Sequence, residues 1–180
     1  MAEKFFIRFG GREAYISTTP SAWLRDTWEP QLYCIDMELP GMPKDGIEDA
    51  IVILTTGTGT GVHTEEAYVL SGADGTLHSF TEPYTVIENA VSRDDNGKTW
   101  IVDASGKRID LPDNAYFNQH YKFYIEDGCL GAKVSIGYGM LQYLENYFRV
   151  KYGEDGVTWE YVYGSAAPLT VSLHDYENEK

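Results

Sequence analysis

The chain has 180 residues, a size that suits one domain and lets roughly 70% of the unfolded surface be buried, so folding needs neither a metal nor a disulfide. It carries 28 acidic against 14 basic residues, a formal net charge of −14. Such a surface repels phosphate, which argues against nucleic acids and anionic lipids as partners. No apolar run approaches the roughly 20 residues that a membrane-spanning helix needs.

Turn dipeptides recur along the chain, each placing Asp, Asn or Ser before a glycine. They are Asp45-Gly46, Asp74-Gly75, Asn96-Gly97, Ser105-Gly106, Asp127-Gly128 and Asp155-Gly156. Short apolar or alternating runs lie between them, a pattern typical of antiparallel hairpins. The sequence therefore predicts a mainly β fold of antiparallel sheets, sandwich-like or blade-like, with one or two short helices. We expect a single domain over residues 1–180, with a frayed tail at 174–180.

The predicted elements are short strands with two short helices among them. In chain order they are a helix at Ser21–Trp28, strands at Gln31–Leu39, Ala50–Thr56, Glu66–Ser71 and Thr76–Phe80, a helix at Glu82–Val91, and strands at Thr99–Ala104 and Lys107–Leu111. Within the second helix, Pro83 suits the first turn, and Tyr84, Ile87 and Val91 follow at spacings of three and four.

The Asp127-Gly128 dipeptide predicts a hairpin with a two-residue turn. Ile125 then lies opposite Leu130, and the apolar residues separate to one side of the pleat. The other side is mixed and places Lys122 opposite Lys133, which is unfavourable because opposed like charges destabilise a sheet.

A second hairpin is predicted around a four-residue loop at Gly153–Gly156. In this register Val150 lies opposite Trp159 on an apolar face, and Arg149 lies opposite Glu160 on the other face. The opposite charges of the latter pair favour this register.

Cys34 and Cys129 are the only cysteines. Both are expected on the more polar faces of their strands. Two alternatives stay open: a disulfide, which would contribute roughly 4 to 5 kcal/mol for a loop of this order, or two free thiols.

The strand that follows the glycine run at 57–61 carries the best local cluster of polar residues. The run lacks the spacing of a phosphate-binding loop and leads into a strand, so we expect it to turn between two strands. His63 and Glu65 then point to the same side of a strand, with Glu66 beside them. This set could serve acid–base chemistry, metal binding or partner binding, or could simply be the polar end of a strand.

Aromatic residues offer a second candidate site. Trp100 and Trp159 fall in apolar strand patterns and are expected in the core. Trp23 and Trp28 are the better surface candidates, and could form a platform for a sugar ring.

The segment from Asp45 to Leu70 combines an Asp-Gly turn, the apolar strand Ile51–Leu54, the glycine run and the strand Glu65–Leu70. In this it resembles extracytoplasmic proteins of Gram-positive bacteria that carry degenerate FG-GAP or VCBS-like segments. The resemblance covers residues 45–91 and implies a location outside the cytoplasm and no enzyme activity.

The same resemblance suggests calcium as a cofactor, because related segments bind it through carboxylates ahead of the Asp-Gly turn. Gly41 and Pro43 stand where such a loop needs side-chain oxygens, so the turn is retained without its full ligand set. Asp45 and Asp49 remain the calcium candidates.

Three functions follow as hypotheses. The first is a non-catalytic accessory or interaction module of a bacterial protein, extracytoplasmic and with an unknown protein partner. The second is a carbohydrate-binding module that uses exposed aromatics. The third is an acidic cytoplasmic inhibitor or immunity protein, for which the net charge of −14 is the motivation.

Overall fold

The computed structural model describes residues 3–18, 30–59, 62–102, 105–111, 115–138 and 147–162. The strands are β1 (Glu3–Phe9), β2 (Arg12–Thr18), β3 (Gln31–Ile35), β4 (Asp49–Gly59), β5 (Val62–Leu70), β6 (Leu77–Ser79), β7 (Val91–Arg93), β8 (Thr99–Val102), β9 (Arg108–Asp110), β10 (Ala115–Glu126), β11 (Cys129–Tyr138), β12 (Tyr147–Gly153) and β13 (Gly156–Val162). Helix α1 spans Pro83–Ala90, as predicted. The predicted mainly β fold of antiparallel hairpins is confirmed, and the helix predicted at Ser21–Trp28 lies outside the described residues.

The largest sheet contains eight strands, in the order β13-β12-β11-β10-β5-β4-β3, with β6 also pairing to β5. Its neighbours are antiparallel except β10 and β5, which run parallel and pair only where His120 lies opposite His63. The β1–β2 hairpin and the β7–β8–β9 sheet are separate. None of the helices in the described ranges is long and apolar enough to cross a membrane.

Both predicted hairpin registers are confirmed. Ile125 pairs with Leu130, and the turn between them has positive φ at Asp127 (53°) and Gly128 (76°), as a two-residue turn of this kind requires. In the second hairpin, β12 and β13 pair as far as Gly153 opposite Gly156, so the connecting turn is two residues shorter than the predicted loop.

The glycine run is more regular than expected. We predicted a loop at 57–61, but β4 continues through Gly57 and Gly59 and pairs there with the start of β5. The register shifts between Thr55 and Gly57, and a Cβ at Gly57 would lie 2.6 Å from the hydroxyl oxygen of Thr64. Glycine therefore allows close contact between these strands.

The large sheet has two halves, β3–β6 and β10–β13, which meet where β5 pairs with β10. The main core is formed by side chains from both halves together with α1 and β8. Its buried members are Met37, Leu39, Ile51, Ile53, Ala67, Val69, Ile87, Ile101, Leu111, Tyr121, Phe123, Leu130, Ala132, Val134, Phe148, Val150 and Tyr152. A smaller cluster of Ile16, Val52 and Leu54 lies on the other face of β4, where the β1–β2 hairpin packs. β4 is thus buried on both faces, which explains its almost continuous apolar sequence.

Candidate functional site

The junction of β5 and β10 contains His63, Glu65 and Glu66. Nε2 of His63 lies 2.8 Å from Oε1 of Glu65, so the two side chains meet on one side of the strand. Glu66 points the other way and accepts a hydrogen bond from the hydroxyl of Tyr68 at 2.6 Å. Burial, and then this carboxylate, raise the pKa of the Tyr68 phenol.

Glu65 connects the two halves of the large sheet. Its side chain is 3% exposed, and Oε2 accepts a hydrogen bond of 2.6 Å from the backbone N–H of Phe123 on β10. The backbones of β5 and β10 pair at one position only, so this carboxylate supplies a hydrogen bond where the ladder stops. A buried carboxylate needs such partners, and Glu65 has both His63 and Phe123.

His120 extends this junction toward the surface of the sheet. Its ring centroid lies 5.7 Å from that of His63, and its Nδ1 lies 3.2 Å from the Ser135 hydroxyl oxygen. Burial lowers the pKa of His120, and the charges of His63 and Lys122 lower it further. The described ranges hold no group of three or more His, Cys, Asp or Glu side chains placed to bind a metal ion.

The calcium candidates Asp45 and Asp49 accept hydrogen bonds from the backbone. Asp49 is 4% exposed, and its two oxygens accept from the N–H groups of Met37 (2.9 Å) and Gly72 (3.0 Å). Asp45 accepts from the N–H of Ile47 at 2.8 Å. These bonds give each carboxylate a structural role, and calcium binding there stays a prediction.

The two cysteines are free thiols in the structure. Cys34 is exposed on the edge strand β3. Cys129 lies opposite Glu126, as predicted, but it is buried. Glu38 covers it, because the backbone of Glu38 pairs with Cys129 and donates its N–H to the carbonyl oxygen of Gly128.

The aromatic candidates Trp23 and Trp28 lie outside the described residues, so their place on a surface stays a prediction. Trp159 is partly buried against the main core, as expected. Trp100 is partly buried as well, and the guanidinium of Arg108 lies 4.0 Å from the centroid of its ring.

A charged surface lies on the face of β10–β13 that points away from the core. We call this face the outer face. The predicted opposition of Lys122 and Lys133 is confirmed, and Lys133 is in turn directly opposite Arg149 on β12. Three like charges therefore stand side by side on three adjacent strands. We call these residues the cation row.

The cation row is only partly balanced within the protein. Arg149 forms a salt bridge of 2.9 Å with Glu160, and the Lys133 ammonium lies 5.0 Å from the centroid of the Tyr147 ring. Across the described residues, Glu160 is the one acid that forms a salt bridge with the row. Opposed like charges destabilise a sheet by roughly 0.2–1 kcal/mol for each pair, so the row costs stability.

The charge balance of β10–β13 also runs against that of the chain. These strands carry four basic residues, the cation row and Lys151, against two acidic ones, Glu126 and Glu160. The whole chain has 28 acidic and 14 basic residues, the opposite ratio. The turns at one end of these strands add Asp127, Glu154 and Asp155, so the excess of positive charge is confined to the strand positions of the outer face.

A groove of about 300 Å³ lies beside the cation row. The ring of Tyr124 lies across Gly131, close enough that a Cβ on this glycine would overlap it. Lys151 and Thr158 line the groove further along the same face. Burial is the main cause that raises the pKa of the Tyr124 phenol.

Comparison with known families, characterised proteins and solved structures finds no match to this chain. The resemblance of the segment from Asp45 to Leu70 to FG-GAP or VCBS-like segments therefore stays a prediction from sequence.

Proposed function

We propose that this chain is a non-catalytic interaction module that binds a protein partner through its outer face. The observation that carries the proposal is the cation row, in which Lys122, Lys133 and Arg149 oppose one another in register. A row that costs folding stability is better explained by an external anionic group than by the needs of the fold. The adjacent groove and its tyrosine add the mixed polar and aromatic character common at protein interfaces.

The junction of β5 and β10 supports the non-catalytic part of the proposal. Both oxygens of Glu65 take part in contacts that hold the two halves of the sheet together. The pair with His63 therefore has a structural explanation that requires no substrate.

Site-specific photocrosslinking tests the proposed function. A photoreactive residue replaces Thr158, which is exposed at the groove, and in a matched variant it replaces Val102, which is exposed on β8 of another sheet. We expect a discrete crosslinked protein from position 158 in cells that make the protein, its loss when Lys133→Glu is added, and none from position 102.

Equal crosslinking from both positions would contradict the proposal. So would turnover of ester, peptide or glycoside substrates by the purified protein, if this activity disappears in His63→Ala.

The proposal places the module outside the bacterial cytoplasm. Its support is the resemblance of the segment from Asp45 to Leu70 to segments of extracytoplasmic proteins. Fractionation of cells that make the native protein tests this location: we expect it in the surface or secreted fraction, and recovery in the cytoplasm alone would contradict it.

A further inference from the structure

We infer that the outer face binds an extended acidic segment of the partner protein, with the partner's carboxylates on the cation row. This inference rests on the proposed function and adds the chemistry of the partner. Lys122 and Lys133 are exposed, and Arg149 is partly exposed, so their charges are accessible among the described residues.

The dimensions of the row suit an extended peptide. Adjacent strands lie about 4.8 Å apart, so three charges on three strands span about 10 Å. Side chains on one side of an extended chain recur about every 6.7 Å, and lysine side chains are long enough to adjust to this spacing. Acidic residues at alternate positions can therefore reach the row together.

The groove gives the segment a second point of contact. Because Gly131 has no side chain, the Tyr124 ring can lie across it and line the groove beside the row. The groove is lined by three acids and two cations, namely Glu126, Asp127, Glu160, Arg149 and Lys151. Because the acids outnumber the cations, a neutral side chain of the partner fits there better than a further carboxylate. We expect the partner's acids on the row and an intervening neutral side chain in the groove.

The acidity of the rest of the chain selects the kind of anion. With a net charge of −14, the protein as a whole repels a long polyanion such as nucleic acid. A short acidic segment contacts only the positive region and meets less of this repulsion. Its binding would also weaken with salt, because exposed charges are screened over about 10 Å at 0.1 M ionic strength.

Binding of a labelled peptide of alternating glutamate and threonine, followed by fluorescence anisotropy at low salt, tests the inference. We expect the full chain to bind it, and Lys133→Glu to weaken binding by about tenfold or more. The control Lys107→Glu makes the same charge change on an exposed residue before β9 and should leave binding within about twofold. A peptide with glutamine in place of glutamate should bind no variant.

Several outcomes would overturn the inference. These are no binding of the glutamate peptide, equal binding of the glutamine peptide, or equal losses in Lys133→Glu and Lys107→Glu. Binding of an oligogalacturonate but not of the peptide would also overturn it, since the anion would then be a glycan.

A third variant tests whether the acidic segment that occupies the row belongs to this chain. It neutralises the acids near the C-terminus, Asp175→Asn, Glu177→Gln and Glu179→Gln. If this variant binds the peptide and the unchanged protein does not, these acids occupy the row. That result would overturn the inference that the acidic segment belongs to a partner protein. If crosslinking at position 158 succeeds while the peptide fails, the proposed function stands and only the chemistry of the partner is wrong.

Discussion

The β5–β10 junction and the outer face both concentrate polar side chains, but the protein treats them differently. At the junction, the buried carboxylate of Glu65 has two partners, His63 and the backbone N–H of Phe123. On the outer face, Lys122 and Lys133 stand opposite each other. The junction balances its polar groups, and the outer face leaves like charges opposite one another.

The difference shows which of two polar clusters is better explained by the fold. A buried charge must be paired or the fold is lost, so full pairing at Glu65 is what stability alone would produce. Stability alone would not place Lys122, Lys133 and Arg149 in one row. The cluster that looked most like a site in the sequence thus has contacts that the fold alone can explain.

We expect the largest loss of stability when the Glu65 carboxylate is removed from the junction. Glu65→Ala removes a carboxylate and leaves the buried N–H of Phe123 without its acceptor, so we expect a loss of about 2–3 kcal/mol in the free energy of unfolding. The control is Glu66→Ala at the next residue, which removes only the contact with Tyr68 and should cost less than about 1 kcal/mol. Urea denaturation measures both, and equal losses would show that Glu65 does not connect the two halves of the sheet.

A smaller loss of stability is expected when His63, the side-chain partner of Glu65, is removed. His63→Ala removes one hydrogen bond to Glu65 and leaves that from Phe123, so we expect a loss of about 1 kcal/mol. Thermal unfolding of His63→Ala, of Glu65→Ala and of the variant with both changes gives the coupling energy between the two side chains. A loss as large as that of Glu65→Ala would mean that His63, rather than the carboxylate, holds the junction.

The stability of the junction should also depend on pH, through His120. The pKa of His120 is lowered by burial and then by the charges of His63 and Lys122, so the folded protein favours the neutral imidazole. The unfolded chain takes up this proton near the ordinary value of about 6.5, and the folded chain only at lower pH. The free energy of unfolding should therefore fall as the pH drops through about 6.5, and level off once folded His120 is protonated too.

Urea denaturation at several pH values between about 7.5 and 5 measures this dependence. In His120→Gln this contribution to the decline should disappear, while the contributions of other groups remain. Identical declines in the two proteins would show that burial of His120 carries no penalty for its charge.

Local turn chemistry made part of this fold predictable. Asp127 and Gly128 can both take positive φ, which fixes the register of β10 and β11. The β1–β2 hairpin carries the same kind of signal at Gly10 and Gly11, which also have positive φ, but this hairpin is not among the predicted elements. The alternation of apolar residues on both sides of that turn could have identified it.

The candidate site was less predictable because it depends on pairing between distant segments. Lys122 and Lys133 are joined by a tight turn, and their opposition could be predicted. Arg149 joins them only through the pairing of β11 with β12, and no Asp-Gly or Asn-Gly dipeptide stands between those strands. The contact of Glu65 with Phe123 spans 58 positions and likewise has no local signal.

The claim that the cation row costs folding stability is tested by the stability of Lys122→Glu at low ionic strength. This change replaces an opposed pair of cations by an opposite-charge pair with Lys133, so we predict that the free energy of unfolding rises by about 0.5–1 kcal/mol and that high salt removes most of the gain. Lys107→Glu, with the same change in net charge, should give no gain. If Lys122→Glu is no more stable than the unchanged protein, the cation row costs nothing and does not indicate a binding surface.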